Sequence, residues 1–238
     1  EPPHYRIDED WVKRKGAYDA GKIWAMGQFA SSANLLELIA DTKRNRQGIM
    51  PELMMFDCHA CHSPMSKKDW SKDLARSPGQ ARINNSSLIM VQAIVRAAAP
   101  QHSSDIAKLV NQLHIASTSP AANFVEVERA ANVLHAQLNT VRKVVATVPF
   151  NEQVLEKILK DLVNMAANNQ YADFAGAEQA YMSISSVANG LARKGNSRIA
   201  QTVNSKMDRL LKLLSNDEAY DREAFQSELL ALKAAVGA

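Results

Sequence analysis

The chain has 238 residues, of which 46% are apolar, 22% charged and only 6% aromatic. That is enough apolar material for one large domain or two small ones, and the scarcity of aromatics and of valine-rich alternating runs points to helices rather than sheet. A formal net charge of +3 is too small for a chain whose main partner is nucleic acid, and no stretch has the pattern of a nucleic-acid-reading module.

Residues 1 to 17 are polar, charged and without period, and read as an extended arm. The start, Glu1-Pro2-Pro3-His4, has none of the features of a signal peptide, and no apolar run reaches the roughly eighteen residues needed to span a bilayer. The chain therefore reads as mature and soluble, with no transmembrane segment. A first helix is expected from about Asp19 to Thr42, with Ile23, Met26, Ala30, Ala33 and Leu36 or Glu37 at three- and four-residue steps. Lys43-Arg44-Asn45-Arg46 would set cations at its negative pole, and Gly48 would stop it. Residues 49 to 83 have no period and are broken by Pro51, Pro64, Pro78 and Gly79, which makes a long loop of the kind that is usually functional or disordered.

From there the pattern is helical. Asn84-Asn85-Ser86-Ser87 offers caps for a helix from about Ser87 to Ala98, ended by Pro100. Ser103 or Ser104 can start the next, with Ile106, Leu109, Val110 and Leu113 on one face and a stop before Pro120. A long helix from about Asn123 to Thr147 carries Val127, Ala131, Leu134, Leu138, Val141 and Val145, and Pro149 ends it. Glu152 to Ala167 follows with Leu155, Ile158, Leu159, Leu162 and Met165, and then Phe174 to Arg193 with Ala177, Tyr181, Ile184, Ala188 and Leu191. Arg193, Lys194 and Gly195 form a helix-ending signal. Ser197 to Leu214 and Asp221 to Val236 complete the series. The expected fold is all-α: a helical part with a long motif loop, residues 1–120, followed by an antiparallel helical bundle, residues 121–238. The boundary at Ser119-Pro120 is soft, and the two parts could equally share one core.

The chemistry concentrates in one place. The chain has two cysteines, and both fall in Cys58-His59-Ala60-Cys61-His62. This is C-x-x-C-H, the haem c attachment pattern. Two thiols separated by two residues can reach the two vinyl groups on one edge of a porphyrin, and the next histidine swings under the iron. Two other chemistries share the C-x-x-C core. Structural zinc normally takes four ligands, often in two separated pairs, and no second cysteine pair exists. A redox disulfide would want a thioredoxin-like strand and helix, and the surroundings show no strand alternation.

The motif resembles that of the c-type cytochromes. The wider stretch Pro51-Glu52-Leu53, Phe56 to His62, Pro64-Met65 and Trp70 is similar to the haem segments of multihaem c-type cytochromes. A lone C-x-x-C-H departs from the multihaem pattern, so a wire of haems within this chain is not expected. The resemblance implies one covalent haem c, with thioethers on Cys58 and Cys61 and with His62 as an axial iron ligand. It also implies attachment in the periplasm or an equivalent compartment, so that a signal peptide has been removed or the gene product is longer.

The second axial position is open to several side chains. His59 and Met65 sit too close to the attachment loop to reach the far face, and Met54 and Met55 suit apolar packing better. His114 follows Ile106 and Val110 at four-residue steps, at the edge of an apolar face, where a core or capping role is the ordinary alternative to ligation. His4 lies in the N-terminal arm, whose ordering would need a tie. His4 and His114 are therefore the candidates for the second axial bond, ahead of His102 in a polar link and His135 on the long helix. Water or an empty position is the remaining option.

No Gly-rich phosphate loop, G-x-S-x-G or H-E-x-x-H pattern is present. The expectation is electron transfer, by a soluble cytochrome or a haem subunit of a larger redox complex. A haem-based sensor or small-gas binder would require an open axial site, and a docking module would use the bundle to position the haem against partner subunits. Residues 1 to 100 hold 14 Lys and Arg against 11 Asp and Glu, whereas the remainder holds 14 against 14. Within that half, Lys67, Lys68, Lys72, Arg76 and Arg82 follow His62 closely and are expected to steer an acidic redox partner.

Overall fold

Side-chain caps start most of the helices. In the computed structural model, which describes residues 8–16, 19–41, 43, 55–56, 83–118, 124–168, 170–171 and 173–237, six caps share one geometry. Asp8, Asp19, Asn151, Asp173, Asn196 and Asp221 each accept a hydrogen bond from the backbone N–H three residues on. Each bond satisfies one of the N–H groups that a helix start leaves without a partner. The helices are α1 (Glu9–Lys15), α2 (Ala20–Ala40), α3 (Ser86–Ala98), α4 (Ser103–Thr118) and α5 (Phe124–Thr147). They continue as α6 (Glu152–Ala167), α7 (Phe174–Arg193), α8 (Ser197–Leu213) and α9 (Arg222–Val236), with a 3-10 turn, Pro100–His102, leading into α4. Among the described residues the only β pairing is a single antiparallel bridge between Phe56 and Ile83. The fold is all-α.

From α3 onward the expected spans hold to within a residue or so, because their caps and breakers are local. Helix α7 ends as anticipated: Gly195 takes φ 102°, while Asn196 N–H donates to the Leu191 carbonyl at 3.0 Å and Gly195 N–H to that of Ala192 at 3.2 Å. That is the Schellman arrangement, which a residue with a Cβ enters only under strain.

Three expectations need correction. Part of the supposed extended arm is helix α1, held by the Asp8 cap, by acids at its start and bases at its end, and by an Asp10–Arg14 pair at 2.6 Å. None of its residues is buried. Helix α2 buries only part of the face its apolar spacing proposed: Leu36 is buried as expected, but with Ala25, Phe29 and Ile39, while Ile23 is 53% exposed and Ala30 is exposed. The same helix stops at Ala40, with Asp41 as its C-cap, so Lys43 lies beyond its last turn. Gly48 falls outside the described residues.

The helices close two rings. Helices α2, α5, α4 and α3 contact one another in that order, as do α6, α7, α8 and α9. The rings meet where α2 packs on α7 and α3 packs on both α6 and α7. Buried apolar side chains from both rings form a single hydrophobic cluster. Helices α2 and α7 run antiparallel, since Asp19 pairs with Lys194 at 3.1 Å, Trp24 Nε1 donates to Ser183 Oγ at 3.2 Å and Gln179 Nε2 donates to Gln28 Oε1 at 3.1 Å. Two glycines face each other across that seam. A Cβ on Gly21 would stand 2.5 Å from Leu155 Cδ2, and one on Gly190 would stand 3.2 Å from Leu155 Cδ1.

Helix α3 lies at the centre. Leu88, Ile89, Met90, Val91, Ile94 and Val95 are all at most 1% exposed, so the helix is buried nearly all round. At about 1.5–3 kcal/mol for each such side chain, its gross burial rivals the whole net stability of a domain. At its far end Arg96 Nε meets Asp161 Oδ2 of α6 at 2.6 Å. Burial pushes the Asp161 carboxyl above its ordinary value, and the Arg96 guanidinium pulls it the other way. Nearby, Tyr171 is fully buried and donates to the Leu162 carbonyl at 2.7 Å, while Tyr220 donates to the Tyr171 carbonyl at 3.1 Å. Burial raises both phenols well above the usual tyrosine range.

Candidate functional site

Cys58, Cys61, His62 and His4 lie outside the described residues, as do His59, Met54, Met65 and the cations from Lys67 to Arg82. The immediate flanks of the motif segment are described, and they meet. Phe56 and Ile83 form an antiparallel bridge, and Asn84 N–H donates to the Met55 carbonyl at 2.9 Å. Met55 is 4% and Ile83 6% exposed, both belong to the core cluster, and Phe56 packs against it. Met55 is thus a core side chain, in line with the packing role expected for it.

Residues 57–82 therefore leave and rejoin the helical body at one point. Ile83 leads through Asn84 and Asn85 into the central helix. Asn84 Oδ1 accepts from the backbone N–H and the hydroxyl of Ser86 at 3.2 and 2.8 Å, and α3 begins at Ser86.

Beside this root lies a cleft of about 10 Å³, room for roughly one water. Ile83, Leu88, Val110, Leu113, His114 and Ser117 line it. His114 is half-buried, and its Nε2 is shielded from solvent. The last turn of α4 is tightened around it: the His114 carbonyl accepts from Ser117 Oγ at 3.0 Å and from Thr118 Oγ1 at 2.7 Å.

The other described histidines are placed differently. His102 sits in the turn at the opposite end of α4, twelve residues and so about 18 Å of helix from His114. His135 lies on α5, with its Nε2 3.2 Å from Glu37 Oε1 and 3.1 Å from Asn139 Nδ2. Of the three, only His114 shares a cleft with a residue of the motif segment's root.

Among the described residues no group of three His, Cys, Asp or Glu side chains comes together. What these residues offer is a mostly apolar wall and one shielded imidazole nitrogen. No protein-family model, curated protein or solved structure matches the chain.

Phe56, Ile83 and Asn84 were not anticipated as site residues. Ile83 and Asn84 fall in a stretch whose local signals are those of a loop and a cap, and a bridge across 26 intervening residues has no local signature. Ile83 could have been suspected only as an apolar residue standing alone among polar ones.

Proposed function

We propose that this chain carries one covalently bound haem c and transfers electrons, as a soluble cytochrome or as the haem subunit of a larger redox complex. The observation that carries the reading is the C-x-x-C-H motif at Cys58, Cys61 and His62, set in a segment whose two flanks are tied together on the core. Cys58 and Cys61 would hold the group by thioethers, and His62 would take one axial position. When bound, haem c supplies a one-electron couple between ferric and ferrous iron, which takes an electron from a reduced redox protein and passes it to an oxidised one.

The chain's own residues have definable tasks around it. The Phe56–Ile83 bridge tethers the motif to the body and limits the distance the cofactor can stray. Ile83, Leu88, Val110 and Leu113 give the cleft at that root its apolar lining. Resemblance to the c-type cytochromes makes the periplasm, or an equivalent compartment, the proposed location. Among the described residues no helix is long and apolar enough to cross a membrane. The partner is proposed to be an acidic redox protein, on the strength of the cations that follow His62 in sequence.

The test is the mass of the denatured protein together with acid-acetone extraction. The expected result is polypeptide plus one haem that resists extraction. Extractable haem, bound zinc, or the bare polypeptide from cells competent in cytochrome c maturation would each overturn the proposal.

A further inference from the structure

We infer that the outer face of α7 pairs antiparallel with the same face of a second copy of this chain, about a two-fold axis passing between Ser185 and Ser186. The inference is independent of the haem reading and gives a role to the surface formed by α7 and the start of α2.

Three observations carry it. The first is charge. The twenty residues of α7 include only two charged ones, Glu178 near its start and Arg193 at its end. Both are exposed, and the helix sets them about 22 Å apart. They stand equally far from the Ser185–Ser186 midpoint. A second copy running the opposite way therefore sets its Arg193 against Glu178 and its Glu178 against Arg193, so one complementary match is made twice, as a two-fold contact requires. A copy running the same way would set like charges together.

The second is the groove. Glu178, Met182, Ser185, Asn189 and Arg193 follow three- and four-residue steps along one side of α7, all exposed apart from the half-buried Ser185. Beside them, between α7 and the start of α2, lies an open groove of about 640 Å³ whose lining includes Ile23, Trp24, Ser186, Asn189 and Arg193. Ile23 is 53% and Met182 46% exposed, and Trp24 is held by the bond from its Nε1 to Ser183 Oγ at 3.2 Å. Met182 and Asn189 are also equally far from the midpoint. Met182 of the second copy thus lies over Asn189, at the groove, where a flexible thioether suits an irregular wall that contains an indole.

The third is the centre. Serines at the axis leave room for two helices to close to an interaxial distance of about 8–10 Å. The Ser186 hydroxyl already donates to the Met182 carbonyl at 2.8 Å, so closing the contact leaves that donor satisfied.

The experiment is sedimentation equilibrium of the whole chain at low salt, where exposed charges are least screened. The wild type should be a dimer. Glu178→Arg and Arg193→Glu each set like charges together at both ends of the contact, and each should raise the dissociation constant at least about tenfold. An equimolar mixture of these two variants should dimerise like the wild type, because each chain then meets its complement on the other. The double variant should dimerise by itself. Met182→Asp and Ile23→Asp should also weaken the dimer, whereas Leu230→Asp, which alters an exposed apolar residue on α9, should leave it intact.

A wild type that is monomeric at every attainable concentration would overturn the inference. So would single charge reversals that dimerise as tightly as the wild type, or a mixture of the two that stays monomeric. A dimer broken by Leu230→Asp and untouched by Met182→Asp would refute the α7 face as the contact.

Discussion

The seam between α2 and α7 makes a sharp quantitative test of the packing, because two glycines on one helix sit in opposite environments. Gly27 is exposed near the middle of α2, and a Cβ built there meets nothing within 4 Å. Replacing it by alanine should add the helix propensity that glycine lacks, about 0.8–1 kcal/mol. Gly21 lies in the first turn, where that gain is smaller, and its Cβ would stand 2.5 Å from Leu155 Cδ2. Comfortable carbon contacts begin near 3.5 Å, so Leu155 would have to give about 1 Å. It has little room, being 0% exposed and bounded on its other methyl by Gly190.

Overpacking of this kind costs about 1–3 kcal/mol. Gly21→Ala should therefore be destabilised by about 1–2 kcal/mol net, and the two variants should differ by about 2–3 kcal/mol. For a chain of this size 1 kcal/mol moves Tm by about 2–4 °C, so their midpoints should separate by about 4–12 °C, followed by helical circular dichroism. Trimming the obstacle, in Gly21→Ala with Leu155→Val, should recover part of the loss. A Gly21→Ala variant as stable as Gly27→Ala would show that α2 and α7 do not approach as closely as described.

Three further outcomes follow from single groups. Arg96→Met should cost about 1 kcal/mol at neutral pH, the pair being partly screened by solvent, and the cost should shrink towards pH ~4. The sign follows from linkage. Without Arg96 the folded-state Asp161 pKa rises further above its unfolded value, the folded protein holds a proton that the unfolded chain releases, and stability falls as pH rises through that interval. A cost that is flat with pH, or larger in acid, in denaturation at several pH values would refute this. Tyr171 and Tyr220 should stay protonated in the folded protein through the range near pH ~10 where ordinary tyrosines ionise, so stability should drop above it, and Tyr171→Phe with Tyr220→Phe should flatten that drop. Asp221→Ala removes the cap on the Ala224 N–H and should cost about 1 kcal/mol in urea denaturation, whereas an unchanged midpoint would remove the cap from the account of α9.

What the residues declared on their own was whatever is settled within a few positions of chain. Asn151, Asp173 and Asp221 start helices because a short side chain can reach the N–H three residues on, and Gly195 ends one because it alone enters a positive φ freely. The C-x-x-C-H motif is legible for the same reason, since its spacing is its chemistry. Periodicity succeeded on α5, where one apolar stripe faces one core, with Ala131, Leu134, Leu138, Val141 and Val145 all buried.

It failed on α2, which packs against α3, α5 and α7 together. There Gln28 is buried because Gln179 donates to it across the seam, while Ile23 points away from the core. A helix with three neighbours has no single stripe to read. The same holds for the site. His102, His114 and His135 each lie in helical surroundings with nothing local to rank them. What separates them is that α4 folds back along α3 and sets His114 beside Ile83, while Ile83 reaches across 26 intervening residues to Phe56. Those contacts depend on the shapes that the rings present to each other, and shape complementarity between distant segments leaves no period in the chain.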